Sequence, residues 1–127
     1  MNVLLDTCTF LWIAADSDSL SQEARQLFLT ARDVYLSAAS CQEIVVKYQL
    51  GKLPLPETPP RYIPRVREEH GIRPLPINEA DALHLAALPP LHKDPFDRLL
   101  ISQAICNGLI ILTPDPLIQR YPARWEW

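Results

Sequence analysis

Short, unbroken apolar runs alternate along this chain with stretches whose apolar residues recur at helical spacing. Residues 2–6 (Val3, Leu4, Leu5), 33–37 (Val34, Tyr35, Leu36) and 109–113 (Leu109, Ile110, Ile111, Leu112) are as long as strands and show no polar face, with a third, shorter strand expected at 73–77. Between them a short helix is predicted over residues 10–15. An amphipathic one follows over 21–31, where Leu20, Ala24, Leu27, Phe28 and Ala31 share one face. Ser40-Cys41-Gln42-Glu43 reads as a capping box opening a helix that stops at Gly51, with Pro54 preventing continuation. Five prolines between Leu53 and Pro64 make a stiff connection into a helix over 60–69, capped by Thr58 or a neighbour. Asn78 caps a helix over 79–88 that Pro89-Pro90 ends. Asp94-Pro95-Phe96-Asp97 then opens a helix that runs to Gly108. This order predicts an α/β fold with a mostly parallel sheet and helices on both faces, a three-layer α/β/α arrangement.

At 127 residues the chain fits one domain spanning 1–127, large enough to bury a core without staples. No apolar run is long enough for a bilayer, and the amino terminus meets Asp6 too early for a signal peptide. The expectation is a cytoplasmic protein with no membrane partner. Cys8, Cys41 and Cys106 are odd in number and share no CxxC spacing, so neither a disulfide framework nor a zinc knuckle is indicated.

Five acids change the picture: Asp6, Glu43, Asp94, Asp97 and Asp115. Each alone has an ordinary structural reading. Asp6, Asp94 and Asp115 can cap helices or turns, Glu43 can serve the capping box, and Asp97 sits favourably at a helix amino end. Together they all stand at strand ends or at the starts of following helices, the edge where open α/β sheets build their sites. Packed carboxylates repel unless protonated or bridged by a cation, and a hard divalent ion favours oxygen ligands. That chemistry suits phosphodiester hydrolysis. The net charge of −3 argues against nonspecific nucleic-acid binding, but much of it lies in these five acids. Lys47, Lys52, Arg61, Arg65, Arg67, Lys93 and Arg98 are candidates to meet phosphates around the site, or else solvated charges on helix faces. Lys47 and Arg98 can equally keep neighbouring acids ionised, and His92 is either a site-edge residue or a loop histidine.

Four blocks carry a family resemblance: Leu4-Leu5-Asp6-Thr7; Ser40-x-x-Glu43-Ile44-x-x-Lys47 with Leu50-Gly51-Lys52-Leu53; His92-x-Asp94-Pro95-Phe96-Asp97-Arg98-Leu99-Leu100-Ile101-x-Gln103-Ala104; and Leu112-Thr113-x-Asp115. In order and spacing the chain resembles PIN-domain ribonucleases, and within them the VapC-like toxins of bacterial toxin–antitoxin pairs. The resemblance implies a PIN-like fold, Mg²⁺- or Mn²⁺-dependent endonuclease cleavage of RNA, a homodimer and a cognate antitoxin. Carried over by position, it makes Asp6, Glu43, Asp97 and Asp115 the metal-binding and catalytic acids. Thr7 and Thr113 become supporting hydroxyls, and Asp94, Lys47, Arg98 and His92 further candidates. Cys8 stands where this group often has histidine, and Gln42 where a tryptophan commonly precedes the glutamate. Neither departure removes an acid.

Two rival readings are open. A haloacid-dehalogenase-type phosphatase also begins with an Asp after an apolar strand, but needs a second acid where this chain has Cys8. A catalytically silent PIN-like protein-binding module is the other. The carboxyl-terminal Trp125 and Trp127 either finish a short edge strand packed on the body or form a dimer or antitoxin surface.

Overall fold

The computed structural model describes residues 1–127. Its centre is β1 (Asn2–Leu5), whose Val3, Leu4 and Leu5 are fully buried. A strand with no polar face needs cover on both sides, and the sheet supplies it. The remaining elements are α1 (Thr7–Ala14), α2 (Gln22–Thr30), β2 (Asp33–Ser37), α3 (Ala38–Gln49), α4 (Pro59–His70), β3 (Ile72–Leu75), α5 (Glu79–Leu83) with a 3-10 turn over His84–Ala87, α6 (Pro95–Asn107), β4 (Ile110–Leu112), a second 3-10 turn over Ile118–Arg120, and β5 (Trp125–Glu126). The strands lie in the order β3-β2-β1-β4-β5, and every pairing is parallel.

Alternation along the strands separates two apolar layers. Val3, Leu5, Val34, Leu36 and Leu112 share a cluster with Phe10, Ile13, Ala24, Ile44, Ile63 and Val66. Leu4 and Ile111 share the other with Leu100, Ile101 and Ala104 of α6. Burying one such side chain fully is worth about 2 kcal/mol over leaving it exposed, so the alternation fixes strand register. The result is the expected three-layer α/β/α fold.

The topology also fixes where a site can form. From β1 the chain runs outward on one side through β2 and β3, then crosses to β4 on the other. Leu5 pairs with Leu112, and the Asp6 N–H donates to the Leu112 carbonyl, so both strands end at one crevice. A parallel sheet opens at such a reversal of strand order.

Several local expectations need correction. The first helix begins at Thr7 rather than residue 10, because the Asp6 carboxylate accepts the Thr9 N–H at 2.8 Å and starts the helix directly after β1. Ser40 does not open α3. Ser37 caps it, accepting the Ala39 N–H, and Ser40 is buried within the helix. Glu43 therefore sits in the second turn, free of any capping-box duty. The expected 79–88 helix tightens into a 3-10 turn after Leu83. The sheet is wholly rather than mostly parallel.

The carboxyl terminus forms an edge strand. β5 pairs Trp125 with Ile111 and Glu126 with Leu112, and the Thr113 N–H donates to the Glu126 carbonyl. Trp127 packs on the first core layer with its ring 5.7 Å from that of Trp12, while Trp125 is exposed. Removing residues 125–127 is expected to cost about 2 kcal/mol through lost aromatic packing and strand pairing. Thermal melting should show this loss with the wild-type oligomeric state retained. Unchanged melting with a changed oligomeric state would instead make these residues an interface.

Candidate metal centre

Asp6 follows β1 directly and is almost wholly buried. Its Oδ1 accepts from the Thr9 N–H and from Cys8 Sγ, and its Oδ2 accepts from the Thr113 hydroxyl just past β4. Burial pushes this carboxyl above the usual carboxylate range, against the pull of those donors. The same burial, aided by the Asp6 charge, pushes the Cys8 thiol far above its ordinary value. Cys8 is thus a protonated donor to Asp6, not a thiolate.

Thr7 links α1 to α3. Its hydroxyl donates to Glu43 Oε1 at 2.7 Å and lies 2.9 Å from Ser40 Oγ. Glu43 is buried, and its second oxygen is held by the half-exposed Lys47 ammonium one turn along α3. That hydrogen bond raises the Lys47 ammonium above its ordinary value, with the Glu43, Asp94 and Asp97 charges adding to it. Lys47 is therefore a charge partner of the acids.

Asp94 caps α6, its Oδ1 accepting from the Phe96 and Asp97 N–H groups at 2.8 and 3.2 Å. Asp97 stands in the first turn of that helix. Its carboxyl is pushed up to about 7, by burial first and then by the charges of Asp94 and Glu43, with Asp6 adding and His92 opposing. A half-buried carboxylate crowded by other carboxylates is a place for a cation.

Asp115 divides its two oxygens. Oδ1 accepts the Leu117 N–H and starts the following turn, while Oδ2 lies 3.3 Å from His92 Nε2. The Asp115 N–H donates to the Thr113 hydroxyl, so Thr113 ties Asp6 and Asp115 together. His92 Nε2 is also 2.9 Å from Asp97 Oδ2. Its Nδ1 faces the Asp94 N–H at 3.3 Å, which favours a proton on Nε2, directed at the two carboxylates. One ligand atom each from His92, Asp97 and Asp115 lies within 4.8 Å of the others, a spacing that fits a single divalent ion taking the place of the Nε2 proton between the two carboxylates. The donor set is rich in carboxylate oxygen, which suits Mg²⁺ or Mn²⁺.

All four acids carried by the sequence resemblance stand on elements that end or begin at this edge. Glu43 is tied through Thr7 to α1, Asp6 through Thr113 to Asp115, and Asp115 through His92 to Asp97. His92 belongs with them as closely as any acid, whereas the sequence leaves it between a site-edge and a loop residue. Arg98 makes no ion pair with the neighbouring acids. Its guanidinium is occupied by the Pro89 and Leu85 carbonyls and the Tyr121 hydroxyl, anchoring a loop. Arg65, counted among the possible phosphate contacts, is committed to Glu57 and Glu69. Tyr121, which no motif marks, holds the loop carrying His92 through its hydroxyl. No helix of the structure is long and apolar enough to cross a membrane.

Comparison with known proteins agrees with the geometry. The curated relative Ribonuclease VapC16 of Mycobacterium tuberculosis (strain ATCC 25618 / H37Rv) is 38% identical over 76 residues, covering 59% of this chain and 52% of the relative. This chain thus spans about half the length of the curated relative it matches. Among solved structures, VapBC2 of Rickettsia felis bound to a promoter DNA fragment aligns with a TM-score of 0.73 at 16% identity, over 99% of this chain and 98% of that one. DNA-bound VapBC of Salmonella typhimurium aligns with a TM-score of 0.68 at 19% identity, over 99% and 97%. The family profile for the PIN domain matches residues 3–123, and the chain belongs to the PIN-domain family.

Proposed function

We propose that this protein is a divalent-metal-dependent endoribonuclease that acts as the toxin of a toxin–antitoxin pair. The observation that carries the reading is the crowding of acids around Asp97, which burial and the charges of Asp94, Glu43 and Asp6 push up to about 7 and which His92 joins to Asp115. Asp97 and Asp115, which His92 Nε2 joins, would hold a Mg²⁺ or Mn²⁺ ion, and Asp6, braced by Thr113 just outside that cluster, would add its charge. Such an ion would supply charge neutralisation at a phosphodiester and acidify an attacking water. The chain's own residues do the rest. Thr113 aligns Asp6 with Asp115, and Thr7 and Lys47 fix Glu43 at the rim, where its carboxylate can orient water.

RNA as substrate is supported by the curated relative's name and by the motif resemblance. An antitoxin partner is supported by the VapBC complexes among the similar folds, and a homodimer by the sequence resemblance alone. The test is incubation of the purified, antitoxin-free protein with a mixed pool of structured and single-stranded RNA. Cuts are expected with Mg²⁺ or Mn²⁺ and are expected to vanish with EDTA. Cuts that persist in EDTA would remove the metal from the mechanism. A folded protein that binds the antitoxin but cuts nothing would favour the binding-module reading.

A further inference from the structure

Three segments meet at the His92, Asp97 and Asp115 cluster, and none is held there by a sheet ladder. Residues 89–94 belong to no helix or strand, α6 begins at Pro95, and Asp115 lies in the loop after β4. The first two are joined at one atom, carried by a residue six positions after Asp115. The buried Tyr121 hydroxyl donates to the Pro89 carbonyl at 2.7 Å and receives the Leu91 N–H at 3.0 Å and the His92 N–H at 2.8 Å. It also receives Arg98 Nη1 at 3.1 Å, the residue next to Asp97. Tyr121 itself ends the short turn that the Asp115 carboxylate starts.

We propose that Tyr121 is a positioning residue of the metal centre, fixing the spacing of His92, Asp97 and Asp115 through its hydroxyl. The inference rests on the metal-centre reading above. The aromatic ring fills the second core layer and would do so without the hydroxyl. The hydroxyl sets where the His92 backbone lies, and so where Nε2 meets the two carboxylates. Losing it frees the loop, lets Arg98 draw away, and uncouples the Asp115 segment from the start of α6.

The test is Mn²⁺ binding to the full-length metal-free protein, read by electron paramagnetic resonance of the unbound ion, for wild type, Tyr121→Phe and Val66→Ala. Val66 is buried in α4 in the other core layer and controls for general loss of stability. Residues that orient metal ligands from behind typically contribute ~10-fold or more to affinity, and Tyr121→Phe is expected to weaken Mn²⁺ binding by about that factor. Val66→Ala should lower the melting temperature while binding Mn²⁺ as wild type does. The route through the histidine adds a second readout: in a His92→Ala background, Tyr121→Phe should weaken binding much less. Wild-type affinity in Tyr121→Phe, or equal weakening in Val66→Ala, would overturn the assignment and leave the metal centre standing. Wild-type protein that binds no Mn²⁺ would overturn the metal-centre reading, and this inference with it.

Discussion

Asp97→Asn is expected to abolish metal-dependent RNA cleavage while leaving the protein folded. The substitution keeps the shape of the side chain and an oxygen for His92 Nε2, which lies 2.9 Å away in the wild type. It removes the proposed anionic ligand, a carboxyl that burial and the neighbouring carboxylates push up to about 7. A carboxylate that holds the ion is tied to transition-state charge stabilisation worth several kcal/mol, so cleavage should fall by ~10³-fold or more. The Asp94 cap and the α6 backbone are untouched, because Asp94 Oδ1 accepts N–H groups that the variant retains. Side-by-side cleavage assays and melting curves check both halves of the expectation. Full activity in a folded variant would take Asp97 out of the chemistry.

The strands and most helix stops were legible because they are written locally. An unbroken apolar run such as Leu109 to Leu112 can only be buried, and Gly51 and Gly108 both take the left-handed conformation that ends a helix. Asp6 and Asp115 could be read as site acids for the same reason, since their places beside β1 and β4 follow from the runs they adjoin. Glu43 shows the limit of local reading. Ser40-x-x-Glu43 fits a capping box as well as any sequence can, yet the chain turns helical three residues earlier, at Ser37. Ser37 is buried at the end of β2 and bonds both the Ala39 N–H and the Gln103 side chain on α6. That choice depends on a residue 66 positions away. The same change brings Glu43 to Thr7 and so into the site.

Tyr121 is illegible, and the sequence leaves His92 and Arg98 between two readings each. His92, in an irregular loop, has no periodicity to give its direction away. Arg98 follows Asp97 directly and so looks available to phosphate, but its guanidinium donates to the Pro89 and Leu85 carbonyls and to the Tyr121 hydroxyl. Tyr121 makes its hydroxyl bonds to residues about 30 positions earlier. Only the packing of β4 and the turn after it on α6 brings the two segments together.

The metal-free protein is expected to lose stability as pH rises from about 4 to about 7, and a divalent ion should reverse that loss. The sign follows from Asp97, whose folded-state pKa is raised from 3.8 to about 7. A carboxyl raised on folding favours the native state fully while both states are protonated, below its unfolded pKa. It withdraws that contribution as the folded group ionises. Asp6, raised by burial, acts in the same direction. Each tenfold change in proton affinity on folding corresponds to about 1.4 kcal/mol, and solvent at the partly open Asp97 reduces the whole to about 2 kcal/mol. Melting temperatures in EDTA should therefore be higher at pH 5 than at pH 8, and Asp97→Asn should flatten most of the difference. At pH 8, Mg²⁺ or Mn²⁺ at a hundred times its dissociation constant should restore about 2.7 kcal/mol by binding only the native state. Flattening by mutation and restoration by metal are independent consequences of the same crowded charge. A profile that stayed steep in Asp97→Asn but flattened under metal would move the strained carboxylate to Asp6 and leave the centre intact. Insensitivity to both would show that these acids are relieved by something other than a cation.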